Sequence, residues 1–368
     1  MNLNDYFNPI SKIDKQNKKF VSGYFDLLSD KSNLHLKKYS IALFSAFSTI
    51  PNSQTAEIRN HFYQLSASFS KSFKAIDLGE LKKGSTFSDI LFATRDVCEF
   101  LLDKKIIPII ISDNSFLPYA VYLAYEALNH PVTITSLDYT IHCKLDDQHY
   151  IPQILSRKNN TLFNNNILGY QLFYTPQDEI KKAQSHFFNL VRLGDLQADI
   201  KKAETYLRDS DLFIIHSTSF LGSFLPTHKC TSPSGFLHKE VCQIARYAGI
   251  SEKVSSLYLY ADPLSNFNMA SYAQILWHFI EGYAARVNDY PKIPFSKLIK
   301  YQVEISKGIY MTFYKSPISD RWWIEIPIPK SNFKKKWLLS CDVHDYHEAC
   351  NGNIPERWQK AIKKFFDS

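Results

Sequence analysis

The chain has 368 residues, 45% hydrophobic and 21% charged, with 43 basic against 36 acidic residues and a net charge of +7. This composition supplies a large buried core and excludes a disordered or collagen-like chain, while the mild basic excess only weakly favours an acidic partner or surface. Six cysteines scattered over this length do not make a stapled secreted scaffold, so reduced thiols in the cytoplasm are expected.

The N-terminal stretch is polar and lacks the apolar core of a signal peptide, and no run of apolar residues is long enough for a membrane span. From residue 39 onward, short β-branched or aromatic runs alternate with segments of helical periodicity. Strands are predicted at 39–47, 105–112, 131–137, 166–173, 211–217 and 255–261, where continuous apolar character suits central strands covered on both faces. Helices are predicted over 55–69, 86–104, 117–129, 178–189, 197–209, 237–249 and 268–287. In the second of these, Ile90, Leu91, Val97, Leu101 and Leu102 recur on one face, and Ser88 with Asp89 is the expected cap. Such alternation predicts a parallel sheet with helices on both faces, a three-layer α/β fold.

After Asn288 the pattern changes. YQVEISKGIYMTFYKS and RWWIEIPIP alternate apolar with polar residues, which predicts a hairpin or edge strands. A basic run, Lys334 to Lys336, and a terminal helix entered at Pro355 follow. The expected organisation is an α/β domain at 1–288 and a small mixed module at 289–368, rich in aromatics and packed on that domain through Trp322, Trp323 and Trp358. The polar stretch 156–166 reads as a loop.

Ligands of open α/β sheets bind where loops leave the carboxyl ends of strands. Taken in order, those ends carry Asp77-Leu78-Gly79-Glu80, IIPIIISDNSFLP at 106–118, VTITSLDYTIH at 132–142, DLFIIHSTSFLGSFLP at 211–226, Pro233-Ser234-Gly235-Phe236-Leu237 with Glu240, and Tyr260-Ala261-Asp262-Pro263. In order and spacing the chain resembles the ureohydrolases, arginase, agmatinase and most closely formiminoglutamase, over about 40–287. The motifs Arg-Trp-Trp, Asp-Tyr-x-x-Ala and Ile-Pro-x-Arg-Trp in the terminal module are similar to the C-terminal extension of formiminoglutamase-like proteins from bacteria. The resemblance implies an arginase-like fold and two manganese ions that activate water, held by six side chains.

Carried over position by position, those six places are Asn114, Asp138, Thr140, His142, His216 and Thr218, and only Asp138 keeps the family's residue. Neither threonine replaces an imidazole or a carboxylate, and without the lost negative charges two divalent cations in close proximity repel. Thr140 and Thr218 stand at both places private to one of the two metals. Around the other, Asp138, His142 and His216 remain competent ligands, with Asn114 as a weak oxygen donor. Two readings follow. In the first, no cofactor is expected, and the histidines are satisfied by hydrogen bonds in a remodelled pocket. In the alternative, one zinc or iron ion is held by Asp138, His142 and His216. Tyr260 stands where the family grips a guanidinium-like group with Glu, and a phenol cannot form that charge-assisted pair. In the loop after Cys143, which by resemblance carries substrate contacts, His149 is the one imidazole.

Cys341, His344, His347 and Cys350 form C-x2-H-x2-H-x2-C, a poor match to the paired spacing of structural zinc. The sequence has no P-loop, dinucleotide fingerprint, Gly-x-Ser-x-Gly elbow or RNA-reading motif. The leading expectation is a catalytically impaired ureohydrolase-fold protein kept for binding or assembly, with a protein partner and, by family resemblance, self-association. The alternative is a mononuclear metal hydrolase of carbon–nitrogen bonds. An acidic-surface or nucleic-acid binder rests on net charge alone.

Overall fold

The structure, a computed structural model, describes residues 1–10, 19–28, 36–46, 53–70, 72–144, 149–158, 160–222, 233–261, 269–292, 294–327 and 337–367. It divides into two compact units, Met1–Ala285 and Arg286–Ser368.

In chain order the first unit contains β1 (Phe7–Asn8), β2 (Phe25–Leu27), β3 (Ile41–Ser45), α1 (Ser53–Gln64), β4 (Ala75–Leu81), α2 (Phe87–Asp103), β5 (Ile107–Ser112) and α3 (Pro118–Ala127). There follow β6 (Val132–Leu137), α4 (Tyr150–Leu155), β7 (Leu162–Tyr170), α5 (Gln177–Ser185), β8 (Asn189–Arg192), α6 (Leu193–Ala198), α7 (Lys202–Arg208), β9 (Leu212–His216), α8 (His238–Ile250), β10 (Ser256–Tyr260) and α9 (Met269–Ala284). Among the described residues ten strands form one sheet, in the order β1-β4-β3-β5-β10-β9-β6-β7-β8, with β2 also on β4. Only β1 runs antiparallel to its neighbour.

Successive strand residues point to opposite faces, so the central strands divide between two cores. Ile109, Ile111, Phe213, Ile215, Leu257 and Leu259 join α1, α8 and α9 on one face. Ile110, Leu212, Ile214, Tyr258 and Tyr260 join α2, α3 and α4 on the other. Residues on both faces are withdrawn from water, which explains the unbroken apolar runs. This is the expected three-layer fold.

Several local expectations need correction. Helix α2 is capped by Thr86 and not by Ser88: the Thr86 hydroxyl accepts the Asp89 N–H at 3.3 Å, and Asp89 accepts the Thr86 N–H at 2.7 Å. The 156–166 stretch is not all loop, because β7 begins at Leu162 and Asn166 Nδ2 donates to Thr135 Oγ1 on β6 at 2.8 Å. The strand predicted to 173 ends at Tyr170, and 172–174 form a 3-10 turn. The helix predicted over 197–209 is two helices, α6 and α7.

Strand β4 was invisible to composition. Its Asp77 lies buried against Arg59 of α1, with Arg59 Nε at 2.8 Å and Tyr63 Oη at 2.6 Å from its Oδ2. Gly79 has φ +90°, and a side chain there would meet Asn8 O at 2.3 Å, so glycine is required at this irregularity in the β3–β4 register.

The second unit contains β11 (Ile299–Ser306), β12 (Ile309–Lys315), β13 (Trp322–Ile326), β14 (Trp337–Cys341), α10 (Val343–Cys350) and α11 (Glu356–Asp367). The strands pair antiparallel in that order. Trp322 and Trp358 belong to one apolar cluster with Phe313 and Ile324, and Trp323 belongs to another with Tyr314 and Leu338. All three tryptophans are therefore built into cores of their own unit. The basic run Lys334–Lys336 lies outside the described residues, as do Cys230, Pro226, Asp262 and Pro263.

Candidate functional site

Four adjacent strands, β5, β10, β9 and β6, end side by side. Tyr260 pairs in register with Ser112 on one side and His216 on the other, and Leu137 pairs with Ile215. The segments carrying Asn114, Asp138, His216 and Tyr260 thus leave neighbouring central strands at their carboxyl ends.

The most prominent arrangement there is a row of rings. His142 and His149 are stacked with centroids 4.3 Å apart and planes at 26°. His149 faces His216 at 6.5 Å, and His216 lies 5.2 Å from Tyr260. His149 also stacks on Tyr150 at 4.5 Å. It stands at the N-terminal cap of α4, where its Nδ1 accepts the Ile151 N–H at 3.3 Å. A neutral imidazole accepting at Nδ1 carries its proton on Nε2, and here that Nε2 is buried without a partner. The Nε2 of His216 is likewise buried and unpartnered.

Burial keeps His149 and His216 uncharged at neutral pH. Burial lowers the His216 imidazole to about 4, and burial together with His142 and His216 holds that of His149 well below its usual range. Burial raises the Asp138 carboxyl to about 6, against the opposing effects of His142 and the backbone N–H groups of Thr140 and Tyr139.

The other positions point elsewhere. The Asn114 side-chain oxygen accepts the Phe116 N–H at 2.8 Å, and its main-chain carbonyl accepts the Tyr258 hydroxyl. Asn114 therefore shapes the entry to α3. The Thr140 hydroxyl donates to Tyr174 O at 3.0 Å, fastening the 172–174 turn, while the Thr140 N–H donates to Asp138 Oδ1 at 3.4 Å. Thr218 sits half-buried in the 3-10 turn Ser217–Ser219, whose Ser219 hydroxyl donates to His216 O at 2.6 Å.

A pair of manganese ions does not fit these residues. Two of the six oxygen or nitrogen positions are engaged with the main chain, and among the described residues no three His, Cys, Asp or Glu side chains are grouped to hold a metal ion. Cys341, buried at the end of β14, and Cys350, exposed on α10, are not part of a metal group either. Sequence reasoning missed the role of His149; its signal was being the one imidazole in the loop after Cys143.

No family model and no curated protein matches the sequence. Solved structures do match in fold. A Trypanosoma cruzi formiminoglutamase with manganese is 15% identical, with a TM-score of 0.61 over 69% of this chain and 97% of that one. The formimidoylglutamase of Bacillus subtilis is 14% identical, with a TM-score of 0.62 over 76% of this chain and 95% of that one. An agmatine ureohydrolase of Thermoplasma volcanium is 13% identical, with a TM-score of 0.54 over 68% of this chain and 91% of that one. The chain thus has the fold of the arginase superfamily, and a small antiparallel sheet module completes it.

Proposed function

We propose that this chain is a non-hydrolysing protein of arginase-like fold that serves as a binding or assembly protein. The carrying observation is the His142–His149 stack, next to His216, at the strand ends where open α/β sheets bind their ligands. Imidazoles at His142 and His216 and hydroxyls at Thr140 and Thr218 stand at carried-over ligand positions without the carboxylate charge that two divalent cations require. Asp138 alone keeps a carboxylate among the six carried-over positions, and its raised affinity for a proton further weakens it as an anion at mildly acid pH. No helix among the described residues is long and apolar enough to cross a membrane. The reading includes a protein partner and self-association, and sets nucleic acid aside because net charge is its one support.

Hydrolysis of arginine, agmatine and formiminoglutamate after manganese loading tests this directly. The expected result is product release no faster than from the Asp138→Ala variant. Manganese-dependent release well above that variant overturns the proposal.

A second reading is favoured by the buried, unpartnered Nε2 of His216, which would hold one zinc or iron ion together with Asp138 and His142. Elemental analysis of untagged protein purified without chelators separates the two. About one equivalent of zinc or iron, lost in His216→Ala, supports this second reading and overturns the metal-free one.

A further inference from the structure

A pocket of about 500 Å³ opens where β7 and β8 end, beneath the segment Pro233–Gly235. Its lining contains none of Asp138, His142, His149 or His216, so it is a separate place from the strand-end site. We propose that this pocket binds a small monocarboxylate carrying an apolar ring and an adjacent N–H group, of the N-acyl aromatic amino acid type. The volume lies in the range of small-molecule sites, which combine apolar walls with few polar groups.

Each part of that ligand has a counterpart. Leu172 and Phe173 contribute apolar wall while remaining 38% and 71% exposed, an unusual display by consecutive large side chains. Leu193, Leu221 and Leu237 supply further apolar lining. The cation is Arg192, exposed at the end of β8, with the Tyr170 hydroxyl near enough to favour its charged form. Asp195 lies close enough to act on Arg192, and Glu240 is 3.5 Å from the lining residue Gln197. One cation with an acidic neighbour, and a second carboxylate beside the lining residue Gln197, suits a monoanion and disfavours a phosphate dianion.

The N–H partner is Gln171. This side chain is 5% exposed; its Nε2 donates to Ser234 O at 3.3 Å, and its Oε1 is buried with no donor. A buried carbonyl oxygen left without a donor is costly, and a small side-chain adjustment that admits a ligand N–H removes the cost. Arg192 and Gln171 thus provide the two halves that recognise a carboxylate beside an amide.

The pocket also offers a way to block it. A Cβ added at Gly194 meets nothing within 4 Å, whereas one at Gly235 meets the Phe220 and Leu221 backbone at 2.5 Å. Gly194→Leu therefore places a side chain in open space with no clash, while Gly235 has no such latitude.

The test titrates N-acetylphenylalanine into the full chain by calorimetry at low salt, with its carboxamide analogue as control. Saturable one-site binding is expected, weakened about tenfold by Arg192→Ala and comparably for the carboxamide. Gly194→Leu is expected to abolish binding with an unchanged melting curve; should that variant misfold, Arg192→Ala and the carboxamide carry the test. Absence of saturable binding up to about 10 mM, or binding indifferent to both Arg192→Ala and loss of the carboxylate, overturns the proposal.

Discussion

The imidazole of His149 lies against that of His142, 4.3 Å between centroids, and the same ring faces His216 at 6.5 Å. A cap residue of α4 thereby joins two residues that the family resemblance places at ligand positions. The row depends on helix capping: the hydrogen bond from the Ile151 N–H to His149 Nδ1 fixes the ring that the other two meet.

Replacing that ring tests the arrangement. His149→Leu retains an apolar side chain beside Tyr150 but loses the cap and the unpartnered Nε2. The two effects oppose, so a net change within about 1 kcal/mol is expected from urea unfolding. A loss of several kcal/mol would show that Nε2 has a partner of consequence.

Asp138 and His216 make opposite contributions to pH dependence. The folded Asp138 holds its proton up to about 6, above the ordinary carboxylate range, so its contribution to stability is present at low pH and lost as pH rises toward 6. His216 is neutral in the fold down to about 4, so its contribution is present above the ordinary imidazole range and lost as pH falls toward 4. The wild-type profile is expected to be shallow between these limits. Asp138→Asn removes one slope: relative to wild type it should gain stability as pH rises from about 4 to about 7, by at most about 3 kcal/mol. Parallel unfolding curves for both proteins across that window would refute the assignment.

The Arg59–Asp77 pair is buried, with side chains 3% and 0% exposed. Asp77→Ala strands the guanidinium and is expected to cost about 3–5 kcal/mol, measured by chemical denaturation. Adding Arg59→Met removes the stranded charge and should recover a substantial part of the loss. If the double variant is no more stable than the single one, the cost lies in packing and not in charge.

In the second unit, Trp323 is fully buried on β13 beside Tyr314 and Leu338. Trp323→Ala is expected to destabilise this unit by about 3–5 kcal/mol. Limited proteolysis should then cut within 286–368 before the first unit. Early cutting of the first unit instead would mean that the two unfold together, as the sequence reading of a module packed on its neighbour anticipates.

The sequence by itself determined the alternation of strands and helices and the residues at the strand ends, because central strands covered on both faces must be apolar throughout. The resemblance places Asn114, Thr140 and Thr218 at ligand positions, and their side-chain chemistry alone makes them poor ligands there. Apolar periodicity missed strand β4, although the resemblance picked out its Asp77–Glu80 end, because Asp77 and Gly79 are residues that strands ordinarily avoid. Only tertiary structure supplies Arg59 and Tyr63 as partners for that carboxylate and the backbone path that tolerates φ +90° at Gly79. Likewise, only the strand order β5-β10-β9-β6 brings Tyr260 beside His216, and only the cap of α4 turns His149 onto His142. Local propensity is written along the chain, whereas ring-to-ring contact depends on hydrogen bonds and registers between segments far apart in it.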